Sequence, residues 1–192
     1  MIDIEVFIMV ELKSPIYKGY ILHTNLPHID VPEHYQFVTF RTKDSIDDYL
    51  KKMFFTDLDN RVKQYKIDQH LDQSTKGSCL NDKVIDEIKT YFRSYDKELF
   101  DIVAFCIMPN HVHILFKQKK PLSEVMRVIK GGSAHIANNT LERKGKFWAG
   151  KYYDTVIRDE NHFNAVYTYI KNNPQKANLK DSKRRFFGIY EI

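Results

Sequence analysis

The segment Leu99–Lys117 limits the fold of this chain more than any other. A near-continuous apolar run, Leu99 to Met108, suits a buried strand. Pro109-Asn110 supplies turn chemistry, and His111-Val112-His113-Ile114-Leu115-Phe116-Lys117 then returns antiparallel. The centre of the molecule is therefore a β-hairpin. Successive strand side chains point to opposite faces, so His111 and His113 share one face while Val112 faces away. Two imidazoles side by side on a rigid strand are half of a metal site.

Other elements are arranged around that hairpin. Tyr35–Arg41 is rich in aromatic and β-branched residues and reads as a strand. Asp44 or Ser45 caps a helix that starts near Ile46 and carries Tyr49, Leu50, Met53, Phe54, Leu58, Val62 and Tyr65. After the polar break at Gln73–Ser78, Asn81 or Asp82 caps a second helix through Phe92. Ser123–Leu141 reads as a helix interrupted or strained near Gly131-Gly132, Tyr152–Arg158 as a strand, and Glu160–Asn172 as a helix stopped by Pro174. The order strand, helix, helix, strand, strand, helix, strand, helix predicts an α+β ferredoxin-like sandwich. It would have a four-stranded antiparallel sheet with helices on one face. Residues 35–179 form the predicted domain, 1–34 an N-terminal extension without an assigned function, and 180–192 a basic and aromatic tail.

Composition narrows the class. A net charge of +5 fits a phosphate-rich partner without establishing one. The two cysteines, Cys79 and Cys106, form no C-x-x-C pair, which favours reduced thiols over a disulfide framework. The apolar start, Met1–Val10, carries two acids and lacks a basic leader and a small-residue cleavage site. No stretch approaches the roughly 20 apolar residues that span a bilayer. The expectation is a soluble, cytoplasmic protein.

The helix after residue 160 offers partners for the histidines. Its apolar stripe is Phe163, Val166, Tyr167 and Ile170, and Tyr169 lies off the edge of that stripe. Asn173 follows Tyr169 by four residues and shares its flank. If this helix packs beside the histidine strand, His111, His113 and Asn173 surround a metal with a tyrosine hydroxyl nearby. A mixed nitrogen and oxygen shell with open positions suits Mg²⁺ or Mn²⁺. Such an ion polarises a phosphodiester, and tyrosine, with an ordinary pKa of about 10, needs that activation to act as a nucleophile. Tyr167 competes for the role, with Tyr152 and Tyr153 behind it, and Asn173 could instead cap the helix before Pro174. His135, on a helix flank, reads as surface or core.

The residues around these positions resemble a known family. Met108–Leu115 is similar to the HUH motif of single-tyrosine transposases, two histidines around a hydrophobic residue. Thr39-Phe40-Arg41-Thr42, Phe147-Trp148, Tyr153–Arg158 and Tyr169–Ala177 resemble the REP-associated tyrosine transposase branch, over roughly residues 35–179. The resemblance implies a divalent ion on His111 and His113, Asn173 in the third-ligand place, and Tyr169 as nucleophile. It implies cutting and joining of single-stranded DNA, often hairpin-containing, through a 5′-phosphotyrosine link. It is compatible with a homodimer and with a monomer.

Arg127, Lys130, Arg143, Lys144, Lys146, Lys151 and Arg158 could line a DNA path, and most such clusters are simply solvated faces. Trp148 could stack on a base or anchor the core beside Phe147. Lys183-Arg184-Arg185-Phe186-Phe187 could grip DNA or close the fold. Two other functions predict different behaviour. A non-catalytic nucleic-acid-binding sheet binds without covalent attachment. A metal-water phosphodiester hydrolase keeps cleaving after Tyr169→Phe.

Overall fold

The computed structural model describes residues 30 and 32–190, so most of the 1–34 extension lies outside the described residues. β1 (Tyr35–Arg41), β2 (Phe100–Ile107) and β3 (His111–Gln118) form the centre of an antiparallel sheet. β4 (Tyr153–Val156) and β5 (Phe186–Gly188) form its edges, in the order β4-β1-β3-β2-β5. The first four strands follow the ferredoxin-like order. The expected sheet gains a fifth strand, because Phe186–Gly188 pairs with Ala104–Cys106 on the free edge of β2.

The segment between β1 and β2 holds three α-helices rather than two. α1 (Asp48–Phe54) is capped by Asp47, which accepts from Leu50 N at 3.0 Å, slightly later than expected, because Asp44 and Ser45 lie in a 3-10 turn (Lys43–Ser45). α2 (Asn60–Gln73) is capped by Asp59 accepting from Arg61 N at 2.9 Å, and this second cap breaks what reads as one continuous helix. α3 (Lys83–Ser94) follows. α4 (Leu122–Thr140) runs unbroken through Gly131-Gly132. Gly132 serves a close approach: a Cβ there would meet the Tyr91 hydroxyl, which donates to Val128 O at 2.9 Å. α5 (Glu160–Lys176) continues past Pro174, and α6 (Ser182–Arg185) leads into β5.

Helices cover both faces of the sheet, not one. Val38, Phe40, Ile102, Phe105, Val112 and Ile114 pack on α3 and α4. Phe37, Val103, Ala104, Cys106 and Leu115 pack on Val166, Tyr167 and Ile170 of α5. A bulge between Ile102 and Ala104 shifts the side-chain alternation of β2 between these layers. The apolar alternation of β2 and β3 leaves two faces to bury, and a single helical layer covers only one.

The C-terminal basic run closes the fold. Arg185 is buried and donates to Leu80 O and Ile107 O, both at 2.9 Å, and to Asn81 Oδ1 and Asp181 Oδ1, both at 2.7 Å. Arg184 pairs with Asp86 at 2.5 Å. No described helix is long and apolar enough to cross a membrane.

Candidate metal and tyrosine site

β3 pairs with β1 so that Thr39 faces His113 and Arg41 faces His111. Both histidines are fully buried, and their Nε2 atoms approach to 3.0 Å. Asn110 sets the orientation of the first ring. Its amide Nδ2 donates to Leu71 O at 3.0 Å, Ser74 O at 3.1 Å and Lys76 O at 3.3 Å. Its Oδ1 therefore faces His111 Nδ1, at 2.8 Å, and can only accept. His111 carries its proton on Nδ1, and its Nε2 lone pair points at His113. His113 Nδ1 meets the Thr39 hydroxyl at 2.8 Å, which can donate or accept by rotating. Without a metal, one proton on His113 Nε2 bridges the two rings. If Thr39 rotates to accept, both Nε2 atoms present lone pairs to one point, the arrangement a cation requires.

The same asparagine ties the end of α2 to the hairpin and brings two carboxylates to the histidines. Asp68 is buried and offers an oxygen within 4.8 Å of a ring nitrogen of each histidine. Its Oδ1 accepts from Gln64 Nε2 at 2.6 Å. Asp72 Oδ1 lies 3.6 Å from His111 Nε2 and is buried without a hydrogen-bond partner. From the other side α5 lowers Tyr169 onto the cluster. The Tyr169 hydroxyl donates to Asp68 Oδ2 at 3.2 Å and lies 3.5 Å from His113 Nε2. Phe37 stacks on His113 at 5.8 Å and meets Tyr169 edge-on at 6.1 Å, which holds both rings.

Every titratable group here is driven toward its neutral form. Burial, then the neighbouring Asp72 charge, pushes Asp68 up to about 8, and burial pushes Asp72 up to about 7. Burial lowers His113 to about 3 and His111 well below its usual value, the latter helped by His113 and Arg41. Burial, then Asp68 and Asp72, raises the Tyr169 phenol well above 10. A pocket that holds two nitrogen lone pairs and two desolvated carboxyls is short of positive charge. A divalent ion supplies it and lets the carboxyls ionise.

Asn173 is buried one turn beyond Tyr169, with its Nδ2 lacking a partner. Tyr167 is committed elsewhere: its hydroxyl donates to Tyr190 O at 2.6 Å and accepts from Tyr190 N at 3.1 Å. His135 is exposed and bonds only its helix neighbour Asn139, at 3.0 Å, among the described residues. Trp148 is buried, with Nε1 donating to Ser133 Oγ at 3.0 Å and its ring edge-on to Phe40, so it anchors the core and presents no face to a base. Lys130 donates to Ala149 O at 2.8 Å and Gly150 O at 3.0 Å, and Arg143 pairs with Asp44. Arg127, Lys144, Lys146 and Lys151 are exposed. Arg158 lines a groove with Tyr35, Phe163 and Tyr190 at the N-terminal end of α5, away from the histidines. The sequence reading missed Asp68 and Asp72. An acid on a helix usually signals a solvated face, and the one hint was their i, i+4 spacing beside the apolar Ile67 and Leu71.

A family model described as "Transposase IS200 like" matches residues 61–173. Among solved structures, the chain is similar to a REP-associated tyrosine transposase bound to a REP hairpin. The two share 17% identity and a TM-score of 0.45, over 80% of this chain and 74% of that one. It is also similar to a candidate transposase from Deinococcus radiodurans R1, at 16% identity and a TM-score of 0.44, over 83% and 98% of the two chains. No curated protein matches the chain.

Proposed function

The chain belongs to the family of IS200-like transposases, and from that premise we propose that it cuts and rejoins single-stranded DNA with Tyr169 as the nucleophile. The observation that carries this is the meeting of the Tyr169 hydroxyl with Asp68 and His113 inside one chain. In the proposed reaction the Tyr169 oxygen attacks the scissile phosphorus and its proton passes to Asp68 Oδ2. A phosphotyrosine bond forms at the 5′ side, the bond to the 3′-oxygen breaks, and that oxygen takes a proton from water. The phosphotyrosine link keeps the energy of the broken bond, so a second strand's 3′-hydroxyl can reverse the step and join without a nucleotide cofactor.

His111 and His113 are the proposed metal ligands. Asp68 is the third donor that the geometry supports, and Asn173 the one that the motif resemblance implies. A bound Mg²⁺ or Mn²⁺ would polarise the phosphodiester and stabilise the leaving oxygen. The REP-associated branch and a hairpin substrate rest on the motifs between Thr39 and Ala177.

The test is incubation with a pool of labelled single-stranded hairpin DNAs and Mn²⁺, resolved on a denaturing gel. A slow-migrating protein–DNA adduct is expected. Tyr169→Phe should lower it by about 10³-fold or more, and EDTA should abolish it. Cleavage that survives Tyr169→Phe would replace this mechanism with metal-water hydrolysis.

A further inference from the structure

Beside the cluster stands a cation that neither the histidine motif nor the metal accounts for. Arg41 ends β1 directly opposite His111, so the two side chains leave the sheet on the same face. Its Nε is buried without a hydrogen-bond partner, and no described carboxylate closes an ion pair with it. Instead the guanidinium lies over the ring of Phe54, 4.9 Å from the centroid. Asp68 reaches it electrostatically but closes no ion pair, so a buried guanidinium keeps unfilled hydrogen-bonding capacity, which is costly. Burial pulls the Arg41 guanidinium below its usual range, opposed by the Asp68 charge. A site that retains such a group is organised for an anion that arrives from outside.

The surroundings point to the same anion. Ala149 N donates to the backbone carbonyl of Arg41 at 2.9 Å, and Lys130 Nζ donates to Ala149 O at 2.8 Å, so the loop that holds Lys130 is tied to the end of β1 beside Arg41. Lys130 is lowered to about 8, by burial first and then by Lys146 and Arg41, so it feels the positive charge of both. The planar fork of arginine matches two oxygens of a phosphate. We propose that Arg41 binds a phosphate of the DNA strand as it enters the candidate centre, with Phe54 as the platform that holds its guanidinium, an inference that rests on the transposase chemistry proposed above.

The test uses fluorescence anisotropy of a labelled dT20 oligonucleotide with Mn²⁺, titrated at several salt concentrations. Tyr169→Phe protein serves as the parent so that no covalent step intervenes. Adding Arg41→Met should weaken binding about tenfold. It should also reduce the salt slope by about 0.7, the value of one lost single-strand phosphate contact. Its melting temperature should hold or rise, because no internal hydrogen bond is removed. Arg41→Lys should keep the slope and recover part of the affinity. An unchanged slope and affinity in Arg41→Met would overturn the inference while leaving the tyrosine mechanism intact. So would a loss of binding accompanied by a fall in melting temperature, the mark of a structural role. A parent that binds neither dT20 nor the hairpin DNAs of the cleavage assay at any salt concentration would overturn the DNA chemistry itself, and this inference with it.

Discussion

The two faces of the sheet are built on opposite principles. On the face covered by α3 and α4, aromatic and aliphatic side chains fill the space and polar groups are few. Phe105 there meets Phe92 edge-on at 5.5 Å and stacks on Phe187 at 5.1 Å. On the face covered by α5, the apolar layer of Val166, Tyr167 and Ile170 gives way at one end to buried histidines, carboxyls and a phenol. Several of those groups lack partners: Asp72 Oδ1, Arg41 Nε and Asn173 Nδ2. Native proteins rarely bury orphaned polar atoms, and where they do the cost is held for a ligand or a reaction. One face therefore carries the stability that the other spends on chemistry.

Three experiments can break or sharpen that contrast. The largest effect is expected from Phe105→Ala on the closed face, a loss of about 3–5 kcal/mol in denaturant unfolding. Mn²⁺ should still raise the melting temperature of whatever protein remains folded. A variant that kept its stability but lost the response to Mn²⁺ would show that the faces do not divide the work.

The intermediate effect concerns Asn110, which both orients His111 and docks the end of α2. Asn110→Ala should weaken Mn²⁺ binding by about 10–100-fold, as removal of partners that orient metal ligands typically does. Isothermal titration calorimetry reads this directly, and affinity equal to the parent's would mean the ring is held by packing alone.

The smallest effect is on pH. Asp68 and Asp72 have raised values, about 8 and about 7, so the stability they contribute is fully present below the ordinary carboxyl range near 4. It is lost as pH rises through 7 and 8, where the histidines are already neutral. The metal-free protein should therefore melt at a lower temperature at pH 8.5 than at pH 6.5. Because ion binding displaces those protons, the stabilisation by Mn²⁺ should grow across the same interval. Scanning calorimetry with and without Mn²⁺ would test it, and an ion effect that is flat with pH would mean the carboxyls do not take part.

Much of this arrangement is legible in the sequence. The hairpin, the shared face of His111 and His113, and the flank shared by Tyr169 and Asn173 follow from the two-residue period of strands and the 3.6-residue period of helices. The motifs added the family. Glycine at 131-132 and Pro174 predict breaks where the helices in fact run on, because these residues report local preference while close packing decides whether a helix survives. The strand at Phe186–Gly188 is hidden behind a basic run in which Arg185 is an internal clamp while Arg184 pairs with Asp86 at the surface.

What sequence alone determined is which side chains share an element and a face, since backbone periodicity is local. What tertiary structure decided is which elements meet. That α5 lies across the histidines, that Asp68 is buried against them, and that Arg41 is left without an ion-paired carboxylate all depend on contacts between segments distant in the chain. Desolvation then acts on groups that are ordinary in isolation. A helical aspartate becomes a candidate ligand, and a strand-end arginine a candidate phosphate anchor, only because the fold has removed water from around them.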